Sequence, residues 1–97
     1  MIVFRYGFNH NGGIFIMTHS QVWQAIELFA HDRGYSCSGL ARRSGLNSTT
    51  FNKSKRFSAS GRPRWVSLES IAKIIHFTNV SATDFFKYVD AAPRKSK

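Results

Sequence analysis

Residues 36–56, SCSGLARRSGLNSTTFNKSKR, contain hydroxyl, amide and basic side chains and no carboxylate. Side chains of these types form hydrogen bonds with the edges of nucleobases and bind phosphate oxygens. The second half of the stretch therefore predicts contacts to bases. The candidate base-contacting residues are Ser48, Thr49, Thr50, Asn52, Lys53 and Arg56.

The positive charge of the chain is concentrated around this stretch. The formal net charge is +9, and no acid lies between Asp32 and Glu69, an interval that holds eight Lys and Arg residues. Charge of this size usually accompanies an anionic partner, whereas an ordinary solvated face intersperses both signs. A polyanion-binding surface is the favoured interpretation and a solvated face the alternative. The candidate phosphate contacts are Ser38, Arg42, Arg43, Lys55, Arg62 and Arg64.

Some of these candidates have a second interpretation. Gly61, Arg62 and Pro63 are similar to the core of the hooks in which an extended arginine enters a narrow A·T minor groove. Three residues carry little weight, so the favoured interpretation is a loop shaped by Pro63 that brings Arg62 and Arg64 to phosphates. Arg42 and Arg43 could equally be an ordinary pair of solvated side chains.

The elements that must position these side chains can be located from their capping residues. A helix start combines a capping side chain with apolar residues just before it and four residues after it. Five positions satisfy this pattern, and the segments after them have helical rather than strand spacing of apolar residues. We therefore predict an all-α domain of five short helices. The predicted caps are Thr18, Ser36, Asn47, Ser67 and Ser81.

The second and third predicted helices form a helix-turn-helix. Only residues 44–46 join them, with Gly45 at the turn and the small Ala41 at the crossing, as a close pair of helices requires. Leu40, Leu46 and Phe51 are expected to point inward and hold the pair together. With Phe51 buried, the opposite face of the third helix presents polar and basic residues only.

The rest of the chain divides into a tail and an N-terminal extension. Residues 17–90 are the predicted DNA-binding domain and residues 91–97 a basic tail. Residues 1–16 either form a β-hairpin or extended segment, or are a non-native leader before a start at Met17. Trp23 and Trp65 are expected in the core.

Several function classes receive no support from the sequence. Cys37 is the single cysteine, and the histidines lack the spacing of a zinc pair, so neither a metal nor another cofactor is expected. The five acids form no paired arrangement, so we do not predict an enzyme or a small-molecule substrate. No apolar run reaches the length of a membrane span, and a cytoplasmic protein is expected.

The run SGLARRSGLNSTTFNKSKR, followed by GRPRW and SLESIAKI, strongly resembles a known family. It is similar to the N-terminal DNA-binding domain of lambda-repressor-like, xenobiotic-response-element-class repressors of bacteria and phages. The closest branch elsewhere carries a C-terminal Ser/Lys autoprotease domain. The resemblance covers roughly residues 18–89 and implies a five-helix domain whose third helix lies in the major groove of double-stranded DNA.

The resemblance also implies a homodimer on an inverted-repeat operator and a role as a transcriptional repressor. Apolar residues in the last predicted helix exceed one stripe, so they either complete a small core or pair with a second copy, and the dimer is the favoured interpretation. Ser44 and Ser54 depart from the family pattern, since apolar residues are more usual there. A chain of 97 residues leaves no room for the autoprotease domain, so self-cleavage is not expected in it. The alternative function is a small adaptor or antirepressor that binds protein partners and contacts DNA only nonspecifically.

Overall fold

The computed structural model describes residues 17–93, which form a mostly helical, compact unit. The four α-helices are α1 (His19–Asp32), α2 (Cys37–Arg43), α3 (Leu68–Thr78) and α4 (Ala82–Ala91), and a 3₁₀-helix spans Lys53–Lys55. No strand occurs in this part of the chain; Phe57 and Pro63 form an isolated antiparallel bridge. The all-α prediction is confirmed at this level. The predicted hairpin or leader in residues 1–16 and the end of the basic tail lie outside the described residues.

Four of the five predicted helix starts are confirmed, each with a bonded cap. The Thr18 hydroxyl accepts from the backbone N–H of Gln21 at 3.1 Å, and the Gln21 side chain accepts from the N–H of Thr18 at 3.0 Å, which completes a capping box. Ser36, Ser67 and Ser81 each accept from the N–H three residues later. Each cap satisfies a backbone donor that would otherwise lack a partner in the first helical turn.

The prediction of an α-helix beginning at Asn47 is wrong. The Asn47 side-chain oxygen accepts from both the N–H and the hydroxyl of Thr49, at 2.9 and 2.8 Å, and the Thr50 hydroxyl donates to the Asn47 carbonyl at 2.6 Å. These local bonds offer the backbone an alternative to helix. Residues 48–51 form turns, Asn52 is extended with ψ 152°, and the 3₁₀-helix follows. We call residues 47–55 the turn segment.

The core is built around α1, which packs against α2 and α4. Phe29 of α1 meets Phe85 of α4 edge-on, with ring centroids 5.3 Å apart. Leu40 of α2 and Phe51 of the turn segment are both buried, as predicted, and Leu46 packs against the core. Phe51 therefore anchors the turn segment although no α-helix forms there.

Polar contacts also join α1 to α4. Gln21 is buried and donates to the carbonyls of Val89 and Ala92 at 3.2 and 3.1 Å. The Tyr88 hydroxyl donates to the carboxylate of Asp32 at 2.7 Å. Because a buried amide needs such partners, Gln21 fixes how α4 ends against α1.

The two tryptophans lie in different environments. Trp23 of α1 is buried, with 3% of its surface exposed, whereas Trp65 is 53% exposed. The expectation that Trp65 belongs to the core is therefore wrong. Trp65 lies in the long link between the turn segment and α3, where its ring lies against His19 instead of the apolar core.

Candidate nucleic-acid interface

A tight turn carries the chain from α2 into the turn segment. Gly45 has φ +85°, in the left-handed region that favours glycine, and its N–H donates to the Arg42 carbonyl at 3.1 Å. The N–H of Leu46 then donates to the Ala41 carbonyl at 2.9 Å. The helix-turn part of the predicted motif is present, and a bent segment follows it in place of the second helix.

The turn segment presents most of the predicted base-contacting residues at the surface. Thr49, Asn52 and Lys53 are exposed, and Ser48 and Thr50 are partly exposed. The Thr49 hydroxyl donates to Asn47 and accepts from the Lys55 ammonium at 3.4 Å. These side chains carry both hydrogen-bond donors and acceptors, and discrimination between base edges requires both.

Arg56 is the candidate base-contacting residue whose side chain is engaged within the fold. Its Nη2 lies 2.8 Å from Glu27 Oε2, and its guanidinium carbon lies 5.0 Å from the centroid of the Trp23 ring. The side chain is only 15% exposed. An arginine held between a carboxylate and an aromatic face is occupied by the fold. Arg56 fixes the end of the turn segment on α1, whereas Thr49, Asn52 and Lys53 are exposed.

Residues 56–64 form a short hairpin, which we call the Arg hairpin. The N–H of Arg64 donates to the Arg56 carbonyl at 2.8 Å, and the N–H of Ser58 donates to the Arg62 carbonyl at 2.8 Å. Gly61, with φ +87°, closes the tip. Arg62 and Arg64 are exposed on the returning half. The two predicted phosphate contacts thus lie on a loop shaped by backbone bonds, with Pro63 in its bridge.

Two side chains of α1 fasten the Arg hairpin. His19 Nε2 lies 2.8 Å from the Arg56 carbonyl oxygen and 3.1 Å from the Arg64 carbonyl oxygen. Since both oxygens are acceptors, Nε2 carries the proton. Trp23 Nε1 donates to the same Arg64 carbonyl at 3.0 Å. The base of the hairpin is therefore held at both of its ends, Arg56 and Arg64.

The remaining phosphate candidates lie on α2 and at the end of the turn segment. Arg42, Arg43 and Lys55 are exposed, and Ser38 is partly exposed. The guanidinium of Arg43 lies 5.6 Å from the ring centroid of Tyr35. Such stacking still leaves the N–H groups at the edge of the guanidinium able to donate.

The acid-free interval keeps its positive charge after folding. The ion pairs within residues 17–93 join Glu27 to Arg56, Glu69 to Lys73 and Asp84 to Lys87. Of the eight bases between Asp32 and Glu69, Arg56 alone is therefore neutralised by an ion pair in the described chain. Thr50, Lys55 and Arg64 line one groove, which brings the turn segment and the Arg hairpin together.

Sequence reasoning missed His19, Trp23 and Glu27 as the supports of this surface. One signal was present for Glu27. No Lys or Arg lies three or four residues from it, so an ion-pair partner could come only from elsewhere in the fold. Nothing in the spacing of His19 indicated its carbonyl contacts.

The described residues give little support to a metal site, a reactive thiol or a membrane-spanning helix. No group of three His, Cys, Asp or Glu side chains within residues 17–93 could hold a metal ion. Burial raises the pKa of the Cys37 thiol, with a smaller contribution from Glu27, which favours the protonated and less reactive form. None of the helices described is long and apolar enough to cross a membrane.

Comparison with known proteins gives this chain no relative. No protein-family model, curated protein or solved structure matches it.

Proposed function

We propose that this protein is a sequence-specific double-stranded DNA-binding regulator, of the repressor type that its sequence resembles. The observation that carries the proposal is the joined surface of the turn segment and the Arg hairpin. It exposes amide, hydroxyl and basic groups, while the Arg56–Glu27 ion pair beneath it joins it to α1. Such a surface suits a partner with phosphates around hydrogen-bonding base edges.

The proposed contacts follow from the chemistry of each side chain. Asn52 can bond adenine through two hydrogen bonds, and Lys53 can donate to the guanine acceptors of the major groove. Arg62 and Arg64 supply charge for the neighbouring phosphates, as does the Arg42–Arg43 pair on α2. Base contacts come here from a bend and a 3₁₀-helix, which departs from the usual insertion of a continuous α-helix.

We further propose that two copies bind an inverted repeat. One domain that contacts four or five base pairs discriminates poorly among the sites of a genome, so a second copy raises specificity. Sedimentation with and without the selected DNA tests this step. A dimer on DNA supports it, and one copy on each selected fragment contradicts it.

Selection of bound fragments from a random duplex pool tests the function itself. The selection uses about 0.15 M salt and excess nonspecific competitor, since electrostatic binding alone is sequence-independent. We expect enrichment of one sequence, and Asn52→Ala and Lys53→Ala should each relax one position at a cost of about 1–3 kcal/mol. Lys87→Ala is the charge control, because Lys87 lies on α4 beside Asp84.

The absence of an α-helix over residues 48–51 favours a second candidate function. A small adaptor or antirepressor that acts by protein contact needs no recognition helix and retains only nonspecific affinity for DNA. Retention of duplexes without any enriched sequence is the result that this candidate predicts. The same result contradicts the regulator.

A further inference from the structure

A groove lies between the Arg hairpin and the start of α3, and Trp65 forms part of its wall. Its other lining residues come from the turn segment, from α1 and from the residues around the start of α3. They are Trp23, Thr50, Lys55, Arg64, Val66, Ser67 and Ser70. The groove combines one large exposed ring with two cationic side chains and several hydroxyls, and no carboxylate lines it.

The ring of Trp65 is held in place although half of its surface is exposed. It meets the His19 ring edge-on, with centroids 5.7 Å apart and planes at 77°. His19 is itself fixed by the carbonyls of Arg56 and Arg64. A fixed aromatic ring with free surface is a stacking platform that requires little ordering when a ligand arrives.

The chemistry of the groove points to a nucleobase with a phosphate beside it. Any base offers a face on which an indole can stack, and Lys55 and Arg64 can neutralise the flanking phosphates. Inside a duplex the faces of the bases are already stacked on their neighbours. A ring face therefore stacks more readily on an unpaired base, because insertion into a duplex must first unstack two base pairs.

We propose that this groove binds an unpaired base of single-stranded DNA, stacked on Trp65. The assignment to DNA rests on the proposed function, because Lys55 and Arg64 belong to the surface that contacts the duplex. The groove provides an activity separate from duplex selection: capture of a strand where the two strands are apart.

Fluorescence anisotropy with a labelled thymidylate single strand of about ten nucleotides tests the proposal, at a salt concentration of about 0.15 M. We expect Trp65→Ala to weaken binding about 5- to 150-fold, the range of one lost stacked base, and Trp65→Phe to weaken it less. Leu68→Ala is the matched control, since Leu68 is the more exposed apolar neighbour and does not line the groove. It should stay within about twofold of the wild type.

Three results would overturn the proposal. The first is binding of Trp65→Ala and Leu68→Ala with equal affinity. The second is tighter binding of the matching RNA strand, which would assign the groove to RNA. The third is dissociation of a dimer by Trp65→Ala in sedimentation without a strand, which would assign the ring to a second copy of the chain. Lys55→Ala gives a second variant, with an expected loss of affinity and a shallower salt dependence.

The duplex selection keeps this proposal separable from the proposed function. Trp65-dependent binding of single strands by a protein that enriches no duplex sequence would contradict the regulator and support the groove. Enrichment of a duplex sequence, together with single-strand binding that Trp65→Ala does not weaken, would support the regulator and contradict the groove proposal.

Discussion

Arg56 stabilises the attachment of the turn segment through several contacts of one guanidinium. It pairs with Glu27, lies over the Trp23 ring and also reaches the Phe51 carbonyl, at 3.5 Å. Its Nε is buried without a hydrogen-bond partner in the described structure. Burial of an unpaired donor has a cost, so the contacts at Nη2 and at the ring must outweigh it. The role of the residue is to position its neighbours.

Removal of this pair should destabilise the protein more than removal of a surface pair. We expect Arg56→Ala to lower the free energy of unfolding by about 1–3 kcal/mol, since charge-assisted bonds and ring packing are both lost. The control is Lys73→Ala, whose exposed pair with Glu69 should contribute less than about 1 kcal/mol. Urea unfolding measures both. Equal losses in the two variants would show that Arg56 is an ordinary surface residue.

Tyr88 should make stability fall at high pH. The hydrogen bond to Asp32 raises the pKa of the Tyr88 phenol above its ordinary value of 10.0, with smaller contributions from burial and from the Asp32 charge. A group with a raised pKa in the folded state contributes stability that is full below the unfolded pKa and is lost as pH rises through the folded pKa. The loss therefore begins near pH 10 and continues above it.

Tyr88→Phe isolates this effect from other groups that titrate at high pH. The variant should be less stable than the wild type at neutral pH, and the difference should shrink above pH 10. Thermal unfolding at a series of pH values measures it. A difference that does not change with pH would mean that the hydrogen bond to Asp32 contributes nothing.

At the scale of elements, the helix starts that could be predicted are those whose signal lies within a few residues of the cap. Thr18, Ser36, Ser67 and Ser81 start helices because each cap needs only its own next three residues, and the sequence contains them. Asn47 had the same surroundings, yet its side chain bonds to Thr49 in a turn. A cap and an Asx-turn begin with the same bond chemistry, so local pattern alone could not separate them.

The candidate site was predictable in composition and much less so in geometry. Seven of the eight bases in the acid-free interval are exposed, and the eighth, Arg56, pairs with Glu27. The ion pair of Arg56 and the exposed position of Trp65 could not be predicted, for a common reason. Both depend on contacts with α1, to Glu27 and to His19, that are about 30 or more residues away in sequence.

Gly45 should be hard to replace because of the turn that it makes. Its φ of +85° is strained for a residue with Cβ, although a Cβ there would meet no atom within 4 Å. We expect Gly45→Ala to cost about 1 kcal/mol from backbone strain alone. Gly45→Asn is the matched control, since Asn tolerates the left-handed region better. Equal stability of the alanine variant and the wild type in urea unfolding would contradict this account.

For the whole molecule, charge should dominate the response of DNA binding to salt. Each phosphate contact lowers the slope of log K against log [salt] by about 0.9 on duplex DNA. If Arg42, Arg43, Lys55, Arg62 and Arg64 all contact phosphates, one protomer should show a slope of about −4.5. Binding titrations at several salt concentrations measure this value.

Single substitutions in the same titrations assign the slope to residues. Arg62→Ala should make it shallower by about 1, and Lys87→Ala, which removes the same charge from α4, should leave it unchanged. A-T-flanked sites provide an internal comparison for Arg62. A larger loss of affinity on those sites would favour insertion into the minor groove, and an equal loss on all sites favours phosphate contact.

The contrast between the two tryptophans gives the protein two optical probes of its own. Trp23 is buried and Trp65 is exposed to solvent, so a small quencher such as acrylamide should lower the fluorescence of Trp65 more than that of Trp23. The quenchable part of the emission then reports events at the surface, and the protected part reports the integrity of the core. Events at the surface and unfolding of the core can be followed in one unlabelled sample, each from its own part of the emission.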